Sequence, residues 1–302
     1  MRNFKGYANN PPHAKWPGNA KIAVQFVINY EEGAENCVLD GDQGSETFLS
    51  EIIGALPHIG QRHMNMESIY EYGSRSGFWR LLNIFKQIQF PVTVFGVAMA
   101  LEKNPIVVEA IQEMDWELAS HGYRWIDYKD FSVEEERKHV KKAIDIHKRL
   151  TGLIPRGWYV GRTSPNTRKI LLDEVPDILY DADSYADDLP YWIEGRKNKP
   201  HLIIPYTLDV NDMRFASLQG FNSGEQFFQY CKDAFDVLYE EGDQSPKMMS
   251  IGLHCRLIGR PGRTAALLKF LNYIKNKEMV WVCKRIDIAH HWYEFHFPDS
   301  SY

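Results

Sequence analysis

Cysteine is scarce in this sequence, and the cysteines that are present do not cluster. Only four of the 302 residues are cysteine, and they form no C-x-x-C pair: Cys37, Cys231, Cys255 and Cys283. Isolated cysteines of this kind indicate reduced thiols rather than a disulfide framework or a zinc knuckle. We therefore expect a cytoplasmic protein whose stability comes from a large hydrophobic core.

The sequence also has no basic run and no long apolar segment. Its 35 basic and 40 acidic residues give a net charge of −5, which argues against a nucleic-acid partner. The longest apolar runs, such as residues 95–101, are far shorter than the roughly 20 residues that cross a bilayer, so we expect no membrane partner. Residues 1–18 are polar and rich in turn formers, and we expect no signal peptide there.

What the sequence does contain is an alternation of short apolar runs and helix-like stretches. The strand candidates are residues 22–28, 92–97, 116–120, 157–160, 178–180, 202–204, 249–253 and 279–283. The helix candidates are residues 77–87, 132–150, 226–240 and 263–276. The stretch 132–150 begins with Ser132 and three glutamates and ends before Gly152, as a capped helix does.

Strands that alternate with helices predict an α/β fold with a parallel sheet and helices outside it. Seven or eight strands in one chain of this length favour a (β/α) barrel over an open sheet. We find no internal repeat or linker and therefore expect a single domain over residues 1–302. Residues 1–20 are expected to wrap its outside, and residues 40–72 are the least regular part.

Polar side chains follow four of the predicted strands. They are Glu31 and Glu32 after the first strand, His121 after the third, the acid-rich loop 181–188 after the fifth and His254 after the seventh. Catalytic groups of a (β/α) barrel project from the carboxyl ends of its strands. The pattern therefore predicts an active site in which these carboxylates and imidazoles meet at one mouth.

Each of these residues also has an ordinary structural explanation. Adjacent glutamates after a strand are common in solvated turns, and acid-rich loops are usually solvated. A single histidine at a strand end is more often a hydrogen-bonded loop or core residue. The functional interpretation depends on the joint placement, since four independent explanations would otherwise have to coincide.

Longer strings of residues are similar to a known family. They include NPPHAKWPG at 10–18, NYEEGAE at 29–35, YEYGSRSG at 70–77, ASHGYRWIDY at 119–128, GWYVGRTSPNTR at 157–168, DADSYADDLPYW at 181–192, PYTLDVNDMRF at 205–215 and IGLHCRLIGRPGR at 251–263. The chain resembles the polysaccharide deacetylase superfamily, which has the NodB-homology fold, and within it the cofactor-independent allantoinase branch. The resemblance covers essentially the whole chain and implies that the barrel is distorted.

Two departures from the general deacetylase pattern bear on metal binding. Glu31 and Glu32 stand where that pattern has an Asp-Asp pair, and Trp125 stands where it has the second histidine of H-x-x-x-H. A tryptophan offers no lone pair to a metal. Glu32, His121 and Trp125 are then vestigial metal positions, and we expect no cofactor. Zinc or another divalent cation would need a third ligand from elsewhere.

The resemblance implies an amidohydrolase that opens the hydantoin ring of allantoin to allantoate, a step of purine catabolism. By family position, Glu31 is the catalytic base and His254 the general acid. The expected substrate-binding residues are Glu32, His121, Trp125, Arg162 and Asp183. The expected binding partner is then a small-molecule substrate, a ureide or hydantoin. The resemblance also implies that the protein forms a homo-oligomer, namely a tetramer.

Two other functions stay open at this point. The first is a metal-dependent N-deacetylase of polysaccharide or peptidoglycan, which would cleave an exocyclic acetamide at the same barrel mouth. The second is a non-catalytic binding barrel, because a deacetylase that has lost its activity would also be expected to have replaced metal ligands. Retention of four polar groups at the strand exits argues against the second.

Overall fold

The computed structural model describes residues 2–298, which form nine strands and nine α-helices. The strands are β1 (Ile22–Tyr30), β2 (Thr93–Gly96), β3 (Glu117–Ser120), β4 (Gly157–Trp158), β5 (Tyr180–Asp181), β6 (Tyr191–Glu194), β7 (Pro200–Ile203), β8 (Lys247–His254) and β9 (Val280–Val282). The helices are α1 (Met64–Tyr72), α2 (Phe78–Ile88), α3 (Ala98–Lys103), α4 (Pro105–Glu113), α5 (Val133–Thr151), α6 (Thr167–Glu174), α7 (Gly224–Glu241), α8 (Pro261–Lys275) and α9 (Arg285–Phe295).

The strands form one strongly curled sheet in the order β6-β7-β5-β4-β3-β2-β1-β8, and β9 pairs with β1. Every pairing between these strands is parallel except β6 with β7. The gap between β7 and β8 is bridged by the segment after β7, where Asn211 pairs with Gly252. The predicted α/β fold with a distorted, mostly parallel barrel is confirmed, with eight parallel strands.

Strand β1 pairs with three other strands and is buried along all nine residues. One edge pairs with β8, and the other edge pairs first with β9 and then with β2. The register places Asn29 of β1 beside His254 of β8, and Gly96 of β2 beside Ser120 of β3. Because β1, β2, β3 and β8 end at one level, the residues that follow them meet at one mouth.

The predicted elements match the observed ones with small shifts at their ends. All eight predicted strands are present, and β6 was not predicted. The four predicted helices are α2, α5, α7 and α8, while α1, α3, α4, α6 and α9 were missed. Helix α5 begins with a capping box between Ser132 and Glu135 and ends at Gly152 in the left-handed conformation.

Helices α1 and α2 join through a π-helical turn, Gly73–Gly77, that lies directly against the mouth. A Cβ atom on Gly73 would lie 2.3 Å from the Glu32 carboxylate, and one on Gly77 would lie 2.0 Å from the Cys255 carbonyl oxygen. Glycine is needed here because no side chain fits between the helix and the site.

Residues near the N-terminus pack against the opposite end of the barrel. Trp16 is buried and donates from its indole N–H to the Lys247 carbonyl, at the start of β8. Its ring contacts Trp281 and Trp292. None of the helices within residues 2–298 is long and apolar enough to cross a membrane.

Candidate active site

Glu31 is the centre of the cluster at the barrel mouth. Its side chain is 1% exposed, and its Oε2 atom accepts a 2.7 Å hydrogen bond from Nη2 of Arg256. Its Oε1 atom lies 3.3 Å from Nε2 of His121 and 3.4 Å from Nε2 of His254. Burial alone would raise the pKa of Glu31, but Arg256, His254 and His121 together hold that pKa well below its ordinary value. Glu31 is therefore a carboxylate at neutral pH.

The neighbouring Glu32 is held by the chain around it. Its Oε2 atom accepts from the backbone N–H of Glu31, and its Oε1 atom accepts from the backbone N–H of Arg256 at 3.2 Å. Nη1 of Arg256 lies 3.4 Å from the same Oε1 atom. Burial raises the pKa of Glu32, with the Arg256 charge acting against that rise and the Glu31 charge adding to it. The adjacent glutamates thus have opposite pKa shifts.

His254 is oriented by Asp212, a fully buried residue of the segment after β7. Nδ1 of His254 lies 2.6 Å from Oδ1 of Asp212, and the backbone N–H of His254 donates to Oδ2 at 2.7 Å. Burial by itself lowers the pKa of His254, but the charges of Glu31 and Asp212 raise that pKa to about 9. At neutral pH His254 is an imidazolium that donates from both ring nitrogens, and it can act as an acid.

His121 contacts Glu31 through one nitrogen only. Its Nδ1 atom is buried and has no hydrogen-bond partner, and its ring packs on Tyr159 at 4.9 Å and on Phe95 at 6.2 Å. When Nε2 carries the proton and donates to Glu31, Nδ1 is left as a bare acceptor. This acceptor is therefore free to receive a hydrogen bond from a substrate.

Trp125 and Arg162 lie beside the acid-base cluster. The Arg162 guanidinium lies 4.0 Å from the centre of the Trp125 ring, and the Arg256 guanidinium lies 4.9 Å from the centre of the same ring. Arg162 also pairs with Glu46 at 3.5 Å. The Phe48 ring stacks on Trp125 at 5.9 Å. The segment that carries Glu46 and Phe48 therefore covers the mouth, and Trp125 forms its wall.

Asp183 is used by the backbone of a neighbouring loop. Its two carboxylate oxygens accept from the backbone N–H groups of Val160 and Gly161, at 2.8 and 2.7 Å. Burial, followed by the charge of Asp181, raises the pKa of Asp183 to about 7. The contacts that join Glu31, Glu32, His121 and His254 do not include Asp183. Its geometry is that of a residue that holds the turn after β4.

Similar proteins are known over the whole length of this chain. A family model described as polysaccharide deacetylase matches residues 65–173. A protein of Schizosaccharomyces pombe, described as "Putative polysaccharide deacetylase", is 46% identical over 96% of this chain and 96% of its own. The chain belongs to the polysaccharide deacetylase family.

Two solved structures resemble this deacetylase-family chain over nearly all of its residues. One is described as a probable polysaccharide deacetylase from Pseudomonas aeruginosa PAO1, with 59% identity and a TM-score of 0.97. The other is described as Puue Allantoinase, with 56% identity and a TM-score of 0.97. Each match covers 99% of this chain and 99% of the other. The family recognised in the sequence is therefore confirmed.

The residues at the mouth do not fit the metal of the deacetylase pattern. Trp125 supplies no lone pair in place of the second histidine, and Glu32 is hydrogen-bonded to Arg256. Within residues 2–298, no group of three His, Cys, Asp or Glu side chains is arranged to hold a metal ion. The guanidinium of Arg256 supplies positive charge to both glutamates instead. That the protein works without a cofactor stays a prediction.

Two residues of this site were missed in the sequence, namely Arg256 and Asp212. Arg256 lies two residues after His254 at the same strand exit, and it is fully buried although it carries a charge. Asp212 lies in the string PYTLDVNDMRF, which carries the family resemblance. The resemblance covers the segments that contain Arg256 and Asp212, but the sequence of these segments does not show which of their polar side chains point into the site.

Proposed function

We propose that this protein is a hydrolase that opens the hydantoin ring of allantoin to give allantoate. The observation that carries the proposal is the Glu31 carboxylate in contact with two imidazoles and one guanidinium, without a metal-type donor set. The likeness to a structure described as an allantoinase, at 56% identity over 99% of both chains, supports the choice of substrate.

Hydrolysis of the ring amide needs a base for water, a donor for the oxyanion and an acid for the leaving nitrogen. In the proposed mechanism, Glu31 takes a proton from the attacking water. His254 then gives its proton to the ring nitrogen as the carbon–nitrogen bond breaks. Arg256 is the fixed cation closest to these groups, and it supplies the positive charge that stabilises the oxyanion.

The low pKa of Glu31 has to be reconciled with its role as a base. Its proton affinity is low because Arg256 and the imidazolium of His254 both face it. When the substrate carbonyl takes on negative charge, these same cations interact with the oxyanion. Their hold on Glu31 is then weaker, and its proton affinity rises at the step in which it accepts the proton.

The substrate can reach Glu31 only after part of the cover moves. Glu31 and His121 are each 1% exposed, and Arg256 is not exposed at all. The Leu49 carbonyl of the covering segment accepts a 3.0 Å hydrogen bond from Nε of Arg256, and Leu49 has a φ of +54°. A non-glycine residue with this φ is strained, so the covering segment keeps its position despite an unfavourable backbone conformation at Leu49.

The test is allantoin hydrolysis by the purified protein after exhaustive chelation, with the metal content measured on the same sample. Rapid formation of allantoate by a metal-free sample is the expected result. Release of acetate from an N-acetylated oligosaccharide, in place of allantoin hydrolysis, would support the deacetylase alternative. Ligand binding without turnover of either substrate would support the non-catalytic alternative.

A further inference from the structure

The proposed reaction produces one surplus proton in every turnover, and this inference rests on that proposed function. Water and a neutral ureide give a carboxylic acid and a ureido nitrogen, which is not basic. The proton that Glu31 takes from water can return to His254, since these two side chains are 3.4 Å apart. The proton of the new carboxylic acid has no such place to go and must leave the buried site as the product ionises.

A cavity of about 310 Å³ has Glu32 in its wall, and Trp125 is not among its lining residues. Glu32 and Tyr70, both buried, line its inner part, and the exposed Lys103 and Glu71 line its outer part. The cavity therefore connects one of the two central glutamates with the protein surface, by a path that does not cross Trp125.

Glu35 is the second buried carboxylate on the wall of this cavity. It is 7% exposed, and its Oε2 atom accepts a 2.7 Å hydrogen bond from the backbone N–H of Gly33. Its backbone carbonyl accepts from Nη2 of Arg124 at 2.9 Å, which fixes its position. The hydrogen bonds to the Glu35 carboxylate come from the backbone, and no cationic side chain among the described residues pairs with it within 4 Å, so the carboxyl group is available for proton transfer.

We propose that Glu32 and Glu35 relay the surplus proton from the active site to solvent through this cavity. The product carboxylic acid gives its proton to Glu32, and the product leaves as a carboxylate. Glu32 passes the proton to Glu35, directly or through cavity water. Glu35 then gives the proton to water or to a dissolved buffer base. Each transfer moves one proton between two oxygen atoms, and no oxidant, reductant or metal takes part.

The electrostatics of Glu35 suit this transfer at neutral pH. Burial raises the pKa of Glu35 to about 7, with Arg256 acting against the rise and Glu32 adding to it. Burial also raises the pKa of Glu32. The other titratable groups on the cavity wall are Cys37, Asp40, Glu67, Tyr70, Glu71 and Lys103. A carboxyl group that titrates near neutrality can accept and release a proton with a small driving force in either direction.

The experiment measures kcat and KM for allantoin at neutral pH while the concentration of a small buffer, imidazole, is varied. Glu35→Gln is expected to lower kcat about ten-fold at low buffer with KM unchanged, and added imidazole should restore kcat in a saturable manner. Wild type and Glu71→Gln should not depend on the buffer. Glu71 is the matched control because it lies on the exposed rim of the same cavity.

A buffer-independent kcat for Glu35→Gln would overturn the relay, and so would a loss that imidazole does not restore. If circular dichroism shows that Glu35→Gln is unfolded, Glu35→Asp replaces it. The aspartate keeps a transferable proton, and it should give a partial loss with the same buffer response. Allantoin hydrolysis by wild type separates the two proposals, because its absence contradicts the proposed function before the relay is tested.

Discussion

His254 and Asp212 are joined by two hydrogen bonds, one through the imidazole and one through the backbone. The ring Nδ1 atom lies 2.6 Å from Oδ1 of Asp212, and the backbone N–H donates to Oδ2 at 2.7 Å. This pair fixes both the position of the histidine and its protonation. Because the charges of Asp212 and Glu31 raise the pKa of His254 to about 9, the ring is an imidazolium at neutral pH and its other nitrogen, Nε2, carries a proton toward Glu31.

Loss of the Asp212 charge should move the alkaline limit of activity to lower pH. The pKa of His254 is raised to about 9, so kcat/KM of wild type should fall as the pH rises through about 9. Asp212→Asn removes one of the two charges that raise this pKa, and its kcat/KM should fall at a lower pH. The exposed Asp209 offers a control, and Asp209→Asn should keep the wild-type profile. An unshifted profile for Asp212→Asn would remove His254 from the acid role.

The same raised pKa predicts how His254 contributes to stability. The pKa is about 9 in the folded protein and about 6.5 for an unperturbed histidine. Protonated His254 therefore stabilises the fold fully below about pH 6.5, and this stabilisation is lost as the pH rises through about 9. The difference in unfolding free energy between wild type and His254→Gln should decrease over that range in urea titrations. A constant difference would contradict the assigned protonation.

Glu31→Gln should abolish most of the turnover and leave the fold intact. The amide keeps the shape of the side chain but cannot accept the proton of water, so kcat should fall by roughly 10²–10⁴. Glu109→Gln, on the exposed face of α4, is the control and should retain wild-type kcat. Turnover and circular dichroism are measured on the same preparations, and full activity of folded Glu31→Gln would exclude it as the base.

Arg256→Met should destabilise the protein by about 3–5 kcal/mol, because it leaves two buried glutamates without their cation. Arg256→Lys keeps the charge but not the planar group, which contacts both Glu31 and Glu32. It should fall between wild type and Arg256→Met in urea unfolding. Equal stability of all three proteins would mean that Arg256 does not neutralise the carboxylates.

Zinc affinity should depend on Arg256 as well as on Trp125. Trp125→His restores the missing imidazole, but the guanidinium still holds Glu32 and repels a cation. The double variant Trp125→His with Arg256→Gln should therefore bind zinc more tightly than Trp125→His alone, as measured by calorimetry. If neither variant binds zinc, the geometry at Glu32, His121 and position 125 is not that of a deacetylase metal site.

Asp183→Asn should affect stability more than catalysis. The backbone N–H groups of Val160 and Gly161 each donate to a separate carboxylate oxygen, and in the amide one of these oxygens is replaced by an NH2 group that cannot accept. The loss of one buried hydrogen bond should cost about 1–3 kcal/mol in urea unfolding. The KM for allantoin should stay near that of wild type, and a large rise in KM would instead support the substrate-binding role predicted from the sequence.

Local patterns in the sequence were sufficient for most of the architecture. Apolar runs marked eight of the nine strands, and the capped stretch at 132–150 marked α5, since periodicity and capping act between neighbouring residues. Strand β6 was missed because it is partly exposed at the edge of the sheet, and α1, α3, α4 and α6 are too short for a clear period. Helix α9 was missed because its buried side chains include Arg285 and His291, which interrupt an apolar pattern. The strand exits also indicated that Glu31, Glu32, His121 and His254 would share one mouth, because parallel strands of a barrel end on one side.

Only the tertiary structure decided which charges those residues meet. The hydrogen bond between Arg256 and Glu31 joins positions 225 residues apart, and that between His254 and Asp212 joins positions 42 apart. Such contacts depend on how the barrel closes and on which side chains of a loop turn inward. A sequence pattern shows which residues are able to carry charge, but pKa and hydrogen bonding depend on burial and distance, which exist only in the folded chain.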